Sequence, residues 1–212
     1  PGDPLLRARL TLDLRLLEEA LQVAIKADDE SGVFHAIRAS VARYKDSPDN
    51  MTGRVFLPAL RYLTDRGRHG WINAVWPRSE NEGLFRSLAP EQEDEVLASM
   101  VICPNIDHNA EQILKAIAAK SPEKVIDFFG KRLAHEKGLQ SSRGYDEVPY
   151  EFHDLRETLQ KIPEQLVAKV REWFASDNEL FAYRGGRMIA AVFPEPEDQL
   201  LKPLHELAGT GK

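Results

Sequence analysis

Residues 114–133, LKAIAAKSPEKVIDFFGKRL, align without a gap on residues 155–174, LRETLQKIPEQLVAKVREWF. Leu114 matches Leu155, Lys120 matches Lys161, Pro122 matches Pro163 and Glu123 matches Glu164, while Val125 and Leu166 keep an apolar side chain. Each copy reads as helix, short turn, helix. Proline suits the first turn because its missing N–H would have no intrahelical acceptor there, and glutamate faces the positive end of the helix dipole. In the first copy Ser121 stands where a capping side chain belongs. Val125, Phe129 and Leu133 then form one inward stripe, and Leu166, Val170, Trp173 and Phe174 form its counterpart.

Outward from this pair the same periodicity continues. Leu6, Leu10, Leu14, Leu17, Leu21 and Ile25 predict a long first helix, opened by Asp3 and Pro4. Phe34, Ile37, Val41 and Tyr44 predict the next, and Phe56, Ala59, Leu60 and Leu63 a third that closes near Gly67. Residues 67–90 carry Gly67, Gly70, Pro77, Gly83 and Pro90, so only short helices fit, one of them a buried turn at Trp71, Ile72, Val75 and Trp76. Later helices are expected around Val96–Val101, Asn105–Ala119, Phe152–Ile162 and Phe181–Phe193, the last interrupted by Gly185-Gly186, and at Leu200–Leu207. No segment sustains period-two alternation between hairpin turns, so the class is all-α. The expected organisation is one all-α domain over 1–212, a fragment of a larger protein given its start at Pro1. Its sub-parts are 1–66, an irregular 67–104 and the repeats at 105–208.

The duplicated hairpin resembles HEAT and armadillo repeats, whose period of about 40–47 residues brackets the 41-residue offset between Leu114 and Leu155. That resemblance implies antiparallel helical hairpins, over 107–137 and 151–175, stacked side by side as a short α-solenoid. The alternative is an irregular helical bundle in which both hairpins open with Pro-Glu because that is sound helix chemistry.

Of 212 residues, 28 are basic and 34 acidic, a net charge of −6, which weighs against a dedicated nucleic-acid binder. No apolar run approaches the ~20 residues of a membrane span, and no leader pattern opens the chain. A single cysteine, Cys103, excludes an internal disulfide and fits a reducing, cytoplasmic setting. It is expected to be a small buried residue. The six histidines, His35, His69, His108, His135, His153 and His205, never pair at i+3 or i+4, so no helical metal site is expected. His135-Glu136 lacks the second histidine of a metalloprotease motif, and Gly209-Thr210-Gly211-Lys212 lacks the frame of a phosphate loop. No catalytic residue and no cofactor is assigned. Arg184-Gly185-Gly186-Arg187 reads as a kink or a close helix contact rather than an anion site.

Two clusters stand out as binding candidates. The first is Arg61, Arg66, Arg68, His69, Trp71 and Arg78, with Trp76, a basic–aromatic neighbourhood in an acidic chain. Its alternative is a buried tryptophan pair with a solvated rim of arginines. The second is the Gly138–Tyr150 loop, with Arg143 and Tyr145 foremost and Asp146, Glu147 and Tyr150 beside them. The function expected from these features is a non-catalytic protein-interaction or regulatory module. Its partner would be another protein or another domain of the same one, with an anionic partner favoured by the arginines. Two other readings are a HEAT-like nucleic-acid enzyme and a sensor segment of a multidomain NTPase. The first resembles the small helical-repeat DNA glycosylases in length and class.

Overall fold

The computed structural model describes residues 4–43, 48–75, 82–138, 144–176 and 179–195. Every regular element among them is helical. The helix expected at Leu200–Leu207 lies outside the described residues, as do the glycine-lysine tail, Trp76, Arg78 and Arg143. The chain divides into two compact units, Pro1–Met100 and Val101–Lys212.

In the first unit α1 (Pro4–Lys26) packs on α2 (Glu30–Ala42). Leu14, Leu21 and Ala24 of α1 are buried, as are Val33, Ala36, Ile37, Ser40 and Val41 of α2. The turn between them is a left-handed cap. Asp28 takes φ 55°, Asp28 N–H donates to Ile25 O at 3.2 Å and Asp29 N–H to Ala24 O at 2.9 Å, closing the end of α1. Then follow α3 (Pro48–Asn50), a π-helical segment at Met51–Phe56, and α4 (Leu57–Asp65), which run on without a break. α4 ends in the same way: Gly67 has φ 66°, its N–H reaches Thr64 O at 2.9 Å, and Arg68 N–H reaches Leu63 O at 2.8 Å. α5 (Trp71–Val75) packs on α2, α6 is Glu82–Ser87, and α7 (Pro90–Met100) packs on α4. The aromatic centre is Phe56, in edge-to-face contact with Trp71 at 6.2 Å and with Phe85 at 6.0 Å.

In the second unit α8 (His108–Ala118) and α9 (Pro122–Gly138) form the first hairpin. Asp107 caps α8, its Oδ1 accepting from Ala110 N–H at 2.9 Å. α10 (Arg156–Leu159), α11 (Pro163–Ala175) and α12 (Glu179–Val192) follow. Matched helices of the duplication touch: α10 meets α8 and α11 meets α9. The burial register also matches. Val125, Ile126, Phe129 and Arg132 are buried on α9, as are Leu166, Val167, Val170 and Trp173 at the equivalent places on α11. Lys169 ties the two helices, its Nζ 2.8 Å from Asp127 and 2.9 Å from Glu172, and those carboxylates hold its ammonium above the ordinary value.

Three expectations are corrected. The helix predicted over Phe152–Ile162 is the four-residue α10, because the buried Glu111 carboxylate fixes the turn before it. Glu111 Oε2 accepts from the backbone N–H of His153 at 2.9 Å, Asp154 at 2.7 Å and Leu155 at 3.3 Å. Phe174, placed on the inward stripe, is 54% exposed, unlike its counterpart Leu133. Gly185-Gly186 does not interrupt α12, which continues through both glycines. Gly185 instead admits α11, since a Cβ there would lie 3.1 Å from Val170 Cγ1 and 3.3 Å from the Phe174 ring.

Candidate functional site

Arg61, Arg66 and Arg68, the described arginines of the 61–78 segment, are spent on this chain's own carboxylates. Arg66 caps α4, and Asp28 occupies the left-handed cap of α1, so the two helix ends meet. Arg66 Nη2 lies 2.7 Å and Nε 3.0 Å from Asp28 Oδ1, which also accepts from Tyr62 Oη at 2.6 Å. The Arg66 guanidinium lies 3.7 Å over the Tyr62 ring. The tyrosine hydroxyl first, and Arg66 second, hold the Asp28 carboxyl below the ordinary carboxylate value, and the same bonds raise Tyr62 and Arg66. Arg68 Nε pairs with Glu30 at 2.9 Å, and Arg61 grips Glu95 of α7 with Nε at 2.6 Å and Nη2 at 2.7 Å. His69 is exposed in the turn before α5. Trp71 is fully buried against Phe56, with no hydrogen-bond partner for Nε1 among the described residues, so it belongs to the core and has no free face for a ligand.

Beside these pairs lies an open groove of about 540 Å³ between α2 and the start of α5. α2 lines it with Glu30, Ser31, Phe34, His35 and Arg38, and the opposite wall is Gly70, Asn73 and Ala74. The geometry follows from helix spacing. Ser31, Phe34, His35 and Arg38 share one face, whereas Val33, Ala36, Ile37, Ser40 and Val41 take the face turned into the core. Phe34 is half-buried, and its ring remains reachable because Gly70 has no side chain: a Cβ there would stand 3.5 Å from Phe34 Cζ. Arg38 is exposed and makes no ion pair among the described residues. The groove thus offers an aromatic floor, a hydroxyl, an imidazole and a guanidinium, with Glu30 already paired to Arg68. Sequence reasoning took Phe34 as a core marker. The available signal was its place beside Val33, off the Val33–Ile37–Val41 stripe.

The second candidate loop is a strap. Arg132, fully buried on α9, donates Nε to Glu147 O at 2.9 Å, Nη1 to Cys103 O at 2.7 Å and to Val101 O at 3.2 Å, and Nη2 to Asp146 O at 2.6 Å and to Pro104 O at 3.4 Å. Burial lowers its pKa from the usual guanidinium value. Tyr145 stacks on that guanidinium at 4.6 Å and donates its hydroxyl to Val101 O at 2.5 Å, and burial pushes the phenol up to about 12. Asp146 pairs with Arg187 at 2.6 Å, Arg187 lies 3.3 Å over the Tyr150 ring, and the buried Glu147 pairs with Arg184. These contacts bind the 144–150 loop to α9, α12 and the 101–104 segment, so Tyr145 is a structural group. Sequence reasoning missed Arg132, although a guanidinium one turn after Phe128 and Phe129 on an apolar stripe was visible. Cys103 is buried, and desolvation raises its thiol to about 12, which keeps it protonated and unreactive.

The exposed His108 has its Nδ1 2.7 Å from the half-buried Asp154, beside the Glu111 cap. Among the described residues no group of three or more histidine, cysteine, aspartate or glutamate side chains could hold a metal ion, and no helix is long and apolar enough to cross a membrane. Comparison with protein-family models, with curated proteins and with solved structures gives no match to this chain.

Proposed function

We propose that the chain is a non-catalytic protein-interaction module built from paired helices, and that its partner docks in the groove between α2 and α5. The observation that carries this reading is the half-buried Phe34 ring, left open by Gly70 and rimmed by the exposed Ser31, His35 and Arg38. An apolar floor with a few convergent polar groups is the usual build of a recognition site. The register shared by α9 and α11 supports a HEAT-like stacking of the second unit. The nucleic-acid reading draws nothing from Trp71 and Trp173, which are buried, or from Arg61, Arg66 and Arg68, which face carboxylates.

The test is a peptide-display selection against the folded chain, followed by amide chemical-shift mapping with the enriched sequence. Shifts concentrated at Ser31–Arg38 and Gly70–Ala74 support the proposal. Failure to enrich any sequence, or shifts confined to other surfaces, contradicts it.

A further inference from the structure

We infer that the occupant of the α2–α5 groove is an acidic peptide segment carrying an apolar anchor residue, an inference that rests on the groove being the docking site. Three features of the lining carry it. First, the one carboxylate of the lining, Glu30, is already engaged by Arg68 from outside it, at 2.9 Å. Arg38 has no carboxylate partner among the described residues, and His35 stands one residue along the same face from Phe34. One guanidinium and one imidazole are therefore left to an incoming group. A planar guanidinium with two parallel N–H donors fits a carboxylate better than any neutral acceptor. Second, Phe34 and Ala74 give the groove an apolar stretch that a small free anion would leave uncovered, while an aliphatic or aromatic side chain would fill it. Third, the exposed Ser31 hydroxyl stands on the α2 wall, where it can hydrogen-bond an extended backbone lying in the groove.

The consequence is a specific ionic recognition inside a chain whose net charge is −6. The chain as a whole repels an acidic partner at long range, so the attraction must be local to Arg38 and is screened by salt. Arg61, Arg66 and Arg68 do not compete for the partner, because each already faces a carboxylate.

The test uses the full chain and three synthetic peptides that share a central leucine flanked by glutamate, glutamine or lysine, titrated by fluorescence anisotropy at low and high salt. The wild type is expected to bind the glutamate peptide at least about tenfold tighter than the glutamine peptide, and salt is expected to erode that margin. Arg38→Glu is expected to remove the preference for glutamate and to favour the lysine peptide, with the melting temperature unchanged, since Arg38 is exposed and has no ion-pair partner among the described residues. Gly70→Leu is expected to weaken every peptide by covering Phe34. Equal binding of the glutamate and glutamine peptides, or an Arg38→Glu variant that keeps the glutamate preference, overturns the inference. If that equality is accompanied by loss in Gly70→Leu, the docking groove stands and only its acidic specificity falls. Binding untouched by Gly70→Leu removes the groove itself, and the acidic inference with it.

Discussion

Arg132 Nε donates to the carbonyl of Glu147 at 2.9 Å from a side chain with no solvent exposure. The rest of the guanidinium serves four more carbonyls, on Val101, Cys103, Pro104 and Asp146. One arginine therefore satisfies backbone carbonyls of two non-helical segments, those of the buried Cys103 and Glu147 among them. Arg132→Met keeps much of the volume but takes the guanidinium donors from Cys103 O, Asp146 O and Glu147 O, while Val101 O and Pro104 O keep Tyr145 Oη and Asp146 N–H. It is expected to destabilise the second unit by about 3–5 kcal/mol. Urea unfolding followed by tryptophan fluorescence of Trp173 would measure it, and a loss under about 1 kcal/mol would show that the strap is held by other contacts.

The matched register of the duplication gives a paired prediction. Phe129 is fully buried and Val170 is 2% exposed at the equivalent position. Phe129→Ala and Val170→Ala are each expected to cost about 2–5 kcal/mol, the phenylalanine more because its ring also touches Phe128 at 5.2 Å and Phe152 at 5.4 Å. Thermal unfolding of the two variants side by side checks this; a negligible loss at either one breaks the equivalence.

Gly67 isolates a backbone effect. Its φ is 66°, and an added Cβ would meet nothing within 4 Å, so any cost of Gly67→Ala is conformational rather than steric. The expected loss is about 1–2 kcal/mol, and Gly67→Asn should lose less, because asparagine tolerates the left-handed region. Equal stability of Gly67→Ala and wild type would exclude the left-handed cap at the end of α4.

The Asp28 carboxyl is held below its ordinary value of 3.8 by the Tyr62 hydroxyl and by Arg66. A depressed folded-state value means stability that is present in full above the unfolded value and lost as pH falls through the lower, folded one. Asp28→Asn keeps a residue suited to φ 55° and removes the charge. The melting-temperature gap between wild type and Asp28→Asn is therefore expected to hold at neutral pH and to close on acidification past that window. A gap independent of pH would assign the effect to the hydrogen bond alone.

Much of this architecture was legible in single residues. Pro122 and Pro163 mark the starts of α9 and α11, and Gly67 marks the close of α4, because each position demands a backbone that few residues supply. Gly185 carried the right cue, a close helix contact, but not its form, since the glycine pair leaves α12 continuous while α11 packs against Gly185. The roles of Arg66 and Arg68 were not legible. Their partners, Asp28 and Glu30, lie 38 residues upstream, and local composition shows a basic cluster where folding makes neutral pairs. The π-helical segment at Met51–Phe56 was hidden for a related reason, since its side chains are set by packing on α1, α2 and α4 rather than by spacing. Phe34 was legible only in retrospect: an aromatic beside the buried stripe says that something covers that face, and the groove shows what the chain itself leaves uncovered.

The central claim is that a partner docks on Phe34 between α2 and α5, and one comparison tests it most directly. Calorimetric titration of the wild type and of Gly70→Leu with the peptide enriched by display selection reads the groove alone. Gly70 lies outside the left-handed region, and a Cβ there makes only ordinary contact with the Phe34 ring, so the substitution is expected to leave the fold intact while its side chain occupies the site. The account predicts saturable binding by the wild type and at least about a tenfold loss, roughly 1.4 kcal/mol, in Gly70→Leu at unchanged melting temperature. Identical titrations for the two proteins would contradict it.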